Sequence, residues 1–352
     1  MRPLSLLVVD DEPGIRESLG GVLEDEGHAV ATAETGEACL ELLSRQRFDA
    51  VDVTRPPLPT ATDATNVVVI QTTYTGGSKQ PTARTEGTGR AVVFTNTTVV
   101  TVDAVQNDVA LAVVGDRIAA IGPTDQILQK YPGADTYSGR GKALFPGFIN
   151  CHAHLGAAIA RGFNEDFGFP NSYKLAVNPG SLISQEEDTL MAVVAALEAI
   201  RTGSTTVVEN VGNIAPTADA LAKTGLRWVF AESATDREGG SPMSPEILAR
   251  GEAPRFSPAM RDEGLKRITD LHSAWHGKEG GRISVFPAAA LAENSSPELL
   301  RAVHDFAEKH DLGYTIHLSQ SRAEVDYMKK HHGVSPVAFL DRHGFLNARL
   351  FA

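Results

Sequence analysis

Three histidines carry the chemistry this sequence could do. His152 and His154 stand one residue apart in "FPGFINCHAHLG", residues 145–156, and His317 stands in "YTIHLSQSRAE". In an extended strand, positions i and i+2 point to the same side. The rings of His152 and His154 would therefore share a face, with Ala153 turned to the other. Two neutral imidazoles held that close suit a divalent ion such as Zn²⁺; in a polar loop, each would instead be satisfied by backbone or water. His317, taken alone, reads as a core histidine bonded to a carbonyl. At the end of a parallel strand in the same sheet it becomes a third ligand, and three histidines leaving a position for water make a catalytic zinc site.

The elements needed to bring residues 152 and 317 together are legible. After "GKALFPGFINCHAH", helix-like and strand-like runs alternate: "SQEEDTLMAVVAALEAIRTG" with "STTVVEN", "APTADALAKTG" with "RWVFAES", "SPAMRDEGLKRITDLHSAWHG" with "RISVFPAAA", and "SSPELLRAVHDFAEKHD" with "GYTIHLSQ". Such repetition predicts parallel α/β architecture whose functional groups sit at the C-terminal ends of the strands. The fold class read here is α/β, an incomplete (β/α)8 TIM-type barrel over residues 143–352. It has about five and a half strands, "RLFA" beginning the sixth. Glu209 and Asn210 end the second strand at the same mouth and are candidate substrate contacts.

Upstream, the β-branched runs "AVVFTNTTVVTVD" and "VALAVVGDRIAAIG" predict a small antiparallel sheet over 91–142 that flanks the barrel. Residues 60–90 are rich in Thr and Gly and read as a linker in which only "NVVVI" looks like a strand. Residues 1–59 alternate strand and helix again, as a partial βαβα segment.

Composition narrows the function classes. The net charge of −12 and the lack of a basic stripe argue against a nucleic-acid partner. No apolar run is long enough to cross a bilayer. Cys39 and Cys151 are the two cysteines and give no disulfide framework. The apolar run near the N-terminus is short and followed by acids, unlike a secretory signal. A cytoplasmic protein acting on a small-molecule substrate, with a homo-oligomer as one option, is the expectation.

Over residues 91–352 the chain resembles the amidohydrolase superfamily, in the branch that holds cytosine, guanine and adenosylhomocysteine deaminases and triazine hydrolases. The motifs are "GKALFPGFINCHAHL", "AIRTGSTTVVEN" and "TIHLSQSRAEV", and "VVGDRIAAIG" is similar to the family's flanking sheet. The resemblance implies that His152, His154 and His317 bind one divalent metal, Zn²⁺ or Fe²⁺. It further implies that metal-activated water hydrolyses a C–N or C–Cl bond of a small nitrogen-heterocyclic substrate. Two departures stand out. Gln320 occupies the position of the glutamate that shuttles a proton in the family, and a carboxamide is neither general acid nor general base; its remaining role is to orient substrate. The family's sixth-strand histidine and eighth-strand aspartate would lie past Ala352, which implies a chain inactive as it stands.

Residues 3–50 resemble the receiver domain of two-component response regulators, through "LLVVDDEPGIRESLGGVLEDEGHAV" and "AETGEACLELL". That resemblance implies Mg²⁺ at Asp10 and Asp11, phosphoryl acceptance at Asp52 and a histidine kinase as partner. The barrel would then be a non-catalytic companion in a phosphorelay. Thr72 and Lys79 have the types of the receiver's later hydroxyl and lysine, but too few residues separate them for the intervening helix. His272 and His276 lie at i and i+4 on a helix and read as surface residues. His331 and His332 end a helix, where the dipole favours cations, and Cys151 reads as packing.

Overall fold

The computed structural model describes chiefly residues 5–9, 13–25, 29–35, 50–53, 68–70, 90–161, 182–239 and 252–352, residue 102 excepted. Short β-branched and apolar runs near the N-terminus form β1 (Ser5–Val9), β2 (Ala29–Ala33) and β3 (Ala50–Val53), with helix α1 (Pro13–Asp25) after β1. They make one parallel sheet in the order β2–β1–β3, with Leu7 and Ala33 in its small core. In β3 the main chain of Asp52 pairs with that of Val8 in β1. Its side chain, Asp10, Asp11, Thr72 and Lys79 all lie outside the described residues.

The second sheet contains β4 (Val68–Ile70), β5 (Val92–Val100), β6 (Val105–Val114), β7 (Arg117–Pro123), β8 (Asp135–Ser138) and β9 (Ala143–Pro146). Its order is β4–β9–β5–β6–β7, with β8 also on β5. The two runs expected to form a small antiparallel sheet do so, within a larger mixed sheet. The β5–β6–β7 meander is antiparallel, but β8 and β9 join β5 in parallel and β4 joins β9 in parallel. The physical reason is the crossover helix α2 (Thr124–Lys130) between β7 and β8, which returns the chain in the same direction. Apolar residues fill both faces: Val93, Ala110, Ala112 and Ile127 on one, Val99, Leu111 and Leu144 on the other. Two groupings read from the sequence also change. Val68–Ile70, within the presumed linker, is a sheet strand, and Ala143–Pro146 belongs to this sheet and not to the barrel.

The third sheet is the one that positions the histidines. Strands β10 (Phe148–Ala153), β11 (Ser204–Val211), β12 (Arg227–Ala234), β13 (Ile283–Leu291), β14 (Tyr314–His317) and β15 (Leu350–Phe351) pair in parallel and in sequence order. Between them run α3 (Gln185–Arg201), α4 (Ala215–Ala222), α5 (Pro258–Trp275), α6 (Pro297–His310), α7 (Arg322–His332) and α8 (Pro336–Arg342). This is a curled, partial barrel wall with helices outside.

Local sequence explains most of these helix starts. Ser184 caps α3 in a full capping box with Glu187, and Ser257, Ser296, Ser321 and Ser335 cap α5, α6, α7 and α8. Proline sits in the first turn of α5, α6 and α8, where its missing N–H has no partner to lose. In α6 the stripe Leu299, Leu300, Val303 and Ala307 is buried against the sheet. Strand alternation sorts the two sides. Val207 packs outward among Ala192, Ala218 and Leu221, whereas Val208 packs inward with Ala231 and Ala288.

One glycine joins the second and third sheets. Gly147 alone separates β9 from β10, and a Cβ there would lie 2.0 Å from Thr205 Oγ1 and 2.5 Å from its Cγ2. Only a hydrogen fits where β10 comes flush against β11. Gly147→Ala is expected to lower stability by about 1–3 kcal/mol, as overpacking does. Gly133→Ala, whose Cβ would meet nothing within 4 Å, should stay within about 0.5 kcal/mol of the parent. Denaturant melts of both variants check this, and equal midpoints would contradict it.

Candidate metal centre

His152 is the penultimate residue of β10, His154 directly follows that strand, and His317 is the last residue of β14. Alternation turns Ala153 toward the helix layer, where it packs beside Leu155 and Val207, and so sends both flanking imidazoles inward. The Nε2 atoms of His152 and His154 are 3.1 Å apart, and those of His154 and His317 are also 3.1 Å apart. Among the described residues these three form the one group of His, Cys, Asp or Glu able to share a metal ion, with all ligand atoms within 4.8 Å of one another. Two nitrogens each about 2.05 Å from a tetrahedral Zn²⁺ are about 3.3 Å apart, so the spacing fits one ion.

Second contacts set which nitrogen faces inward. His317 Nδ1 is 2.7 Å from the carbonyl oxygen of Ala290 on β13. A carbonyl only accepts, so the proton sits on Nδ1 and the Nε2 lone pair faces the other rings. His154 is likewise hydrogen-bonded to the main chain of Asn210 on β11. The His152 N–H donates to Asn150 Oδ1 at 3.1 Å, shaping the strand end. Burial is the first cause that lowers the pKa of each imidazole, and mutual repulsion adds to it for His152 and His154. His152 is pushed down to about 4. All three are therefore neutral at pH 7, with lone pairs converging, which is the state that accepts a cation.

Around the mouth, buried carboxylates bind main-chain amides. Glu209, 3% exposed, takes the Leu155 N–H on both oxygens at 3.1 Å, and Leu155 directly follows His154. Glu232 accepts the N–H groups of Asn213 at 2.7 Å and Ile214 at 2.9 Å, at the start of α4, and also bonds Arg267 Nε at 3.0 Å. Asp236 accepts from the Ser296 N–H at 2.9 Å, at the cap of α6. Glu324 accepts from Ser319 and Gln320, just past His317.

This geometry changes the reading of Glu209 and Asn210 as substrate contacts. Glu209 shares the outward face of β11 with Val207, and its carboxylate is committed to Leu155. Asn210 faces inward but is 1% exposed, and its amide atoms have no hydrogen-bond partner among the described residues. Gln320 is exposed on the loop three residues beyond His317. Cys151 is an exposed free thiol outside the ligand group. His272 and His276 do more than sit at a surface: their rings are 4.6 Å apart, His310 is 4.6 Å from His272, and Phe306 packs against both His272 and His310. His331 and His332 end α7 ahead of Gly333, as their position predicts.

The carboxylate–amide contacts are the functional geometry that sequence reasoning missed. One signal was present, the Ser-x-x-Glu pattern at Ser321–Glu324 that marks a helix start. The others join residues from 18 to 60 positions apart and leave no local pattern.

Comparison with known proteins places this geometry. The 5-methylthioadenosine/S-adenosylhomocysteine deaminase of Pelotomaculum thermopropionicum is 25% identical over 253 residues, 71% of this chain and 53% of that protein. The 5'-deoxyadenosine deaminase of Methanobrevibacter smithii is 26% identical over 248 residues, 69% of this chain and 51% of its own length. The chain thus spans about half the length of the curated relatives it matches. Among solved structures, the zinc complex of atrazine chlorohydrolase from Arthrobacter aurescens superposes with a TM-score of 0.61 at 20% identity, covering 74% of this chain and 59% of that one. Guanine deaminase from C. acetobutylicum gives 0.59 at 15% identity over 72% and 59%. Both share the fold. Residues 110–134 match an imidazolonepropionase-like composite domain of bacteria. Residues 143–351, more than half of the chain and all three histidines, match the amidohydrolase family, and to that family the chain belongs.

Proposed function

We propose that this chain provides the metal-binding wall of a hydrolase that acts on a carbon–nitrogen, or carbon–chlorine, bond of a small nitrogen-heterocyclic substrate. The observation that carries this reading is the convergence of the His152, His154 and His317 Nε2 atoms at 3.1 Å steps. The deaminase names of the relatives and the zinc in the chlorohydrolase neighbour point the same way. A divalent ion at this site, Zn²⁺ or Fe²⁺, supplies Lewis acidity that acidifies a water near neutral pH. The chain's own part is to hold three neutral imidazoles in place, with His317 oriented by the Ala290 carbonyl and His154 by the main chain of Asn210, both on neighbouring strands. Gln320 can donate or accept a hydrogen bond to a bound ring but cannot carry a proton. This favours substrates whose leaving group needs little protonation.

Purified full chain, stripped of metal and incubated with Zn²⁺ at pH 7, is expected to retain close to one ion per chain by elemental analysis. His152→Ala or His317→Ala should abolish that retention. Zinc held equally by the wild type and both variants would sink the proposal.

The charge states give a second expectation. A histidine whose folded pKa lies below its unfolded value of 6.5 makes the unfolded chain the better proton binder between those values. Stability of the metal-free chain should therefore fall as pH drops from about 6.5 toward 4, and the His152→Ala variant should lose part of that slope. The ring-proton NMR resonance of His152 is expected to titrate near 4; a midpoint near 6.5 would contradict the burial argument. Gln320→Glu restores a group able to move a proton. It should raise turnover of aminopyrimidine or aminotriazine substrates by about 10²–10⁴ relative to Gln320 in any assembly that turns them over, and an unchanged rate would remove Gln320 from the reaction.

A further inference from the structure

The turn after β14 has a restraint that neither strand pairing nor packing supplies. β14 is four residues long, β15 reaches only Tyr314 and Thr315, and His317 pairs with Leu291 alone, across a register shift. The last residue of the strand therefore has no ladder partner on the β15 side. Two residues later Ser319 adopts φ +55°, the left-handed region that a side chain other than glycine rarely takes.

Glu324 closes this turn. Its Oε1 accepts from the Ser319 N–H at 2.9 Å and its Oε2 from the Gln320 N–H at 2.6 Å, while Ser321 Oγ accepts from the Glu324 N–H at 3.2 Å. In a capping box the acid would return to the N–H of Ser321 itself. Here it reaches one and two residues further back, onto the segment leading from His317. The carboxylate is 1% exposed and both oxygens are occupied, so it is turned away from any bound ring. Helix α7, which carries it, is fixed in turn: Tyr327 Oη accepts from Arg237 Nη1 at 2.8 Å, and buried Arg237 lies just past β12. A continuous path runs from the end of β12 through Arg237, Tyr327 and Glu324 to the main chain beside His317.

We infer that Glu324 is a positioning residue for the metal centre: it clamps the Ser319–Gln320 main chain so that His317 is held facing His152 and His154 and Gln320 is presented at the mouth. The inference rests on the proposed metal site. It assigns Glu324 no proton transfer and no contact with substrate.

The test is zinc affinity of the full chain, measured at pH 7 by competition with a chromophoric chelator, with thermal melts alongside. Glu324→Ala is expected to weaken zinc binding by about 10–100-fold, the range seen when groups supporting metal ligands are removed. Glu324→Gln keeps one acceptor oxygen and should fall between it and the wild type. Leu299→Ala, a core truncation on α6 that removes no hydrogen-bonding group, serves as the control. It should lower the melting temperature while leaving zinc affinity within about twofold of the wild type, because metal affinity follows ligand placement. Wild-type affinity in Glu324→Ala overturns the inference, as does an equal loss of affinity in Leu299→Ala. Should Glu324→Ala not fold, wild-type affinity in Glu324→Gln overturns it alone. Absence of zinc binding in the wild type would instead remove the metal site itself, before any variant is compared.

Discussion

The mouth of this barrel wall is held by carboxylates that have left water to bind main-chain N–H groups. A buried, unpaired carboxylate is strongly unfavourable, and each of these acids offsets part of that cost by accepting main-chain hydrogen bonds. The partners are informative. Glu209 holds Leu155, Glu232 holds Asn213 and Ile214, Asp236 holds Ser296, and Glu324 holds Ser319 and Gln320. Every one of those amides belongs to a loop that follows a strand, the place where a barrel keeps its functional groups. Loops there would otherwise carry donors with no ladder partner. The acids convert those orphan donors into fixed points.

The electrostatics of the site follow from the same low-dielectric surroundings. Burial drives the imidazoles toward neutrality and drives Glu209 the other way, up to about 8, because in each case the charged form is disfavoured. The N–H of Leu155 opposes the shift of Glu209, and the nearby charge of Asp188 adds to it. Glu209 and the three imidazoles are thus each held nearer to neutral than they would be at the surface. A divalent cation entering between the imidazoles meets little competing positive charge and three lone pairs already aimed.

Much of this was legible in the sequence. The HAH spacing fixed a common face because strand geometry has a period of two, and the helix–strand repeats from residue 185 onward carried their own serine caps and proline starts. The antiparallel runs of the flanking sheet were read correctly, but its parallel strands β8 and β9 were not, because sequence does not show the direction in which a crossover helix such as α2 returns. The strand-like run at 66–70 is borne out as β4, Val68–Ile70; its partner β9 lies over seventy residues on and leaves no local signal, so the run was assigned to a linker. The orientation of Glu209 could not be read from the sequence. Its place at a strand end was right, but one step of alternation decides whether a side chain faces the mouth or the helix layer, and Val207 and Val208 show which way β11 is turned.

The single-residue joint at Gly147 couples two sheets that the sequence presents as separate. Because β9 runs into β10 with no intervening loop, the strand bearing His152 is the direct continuation of a strand paired to β5 and β4. The strand that carries His152 therefore takes its starting direction from the flanking sheet, and the two sheets cannot be repositioned independently at that joint.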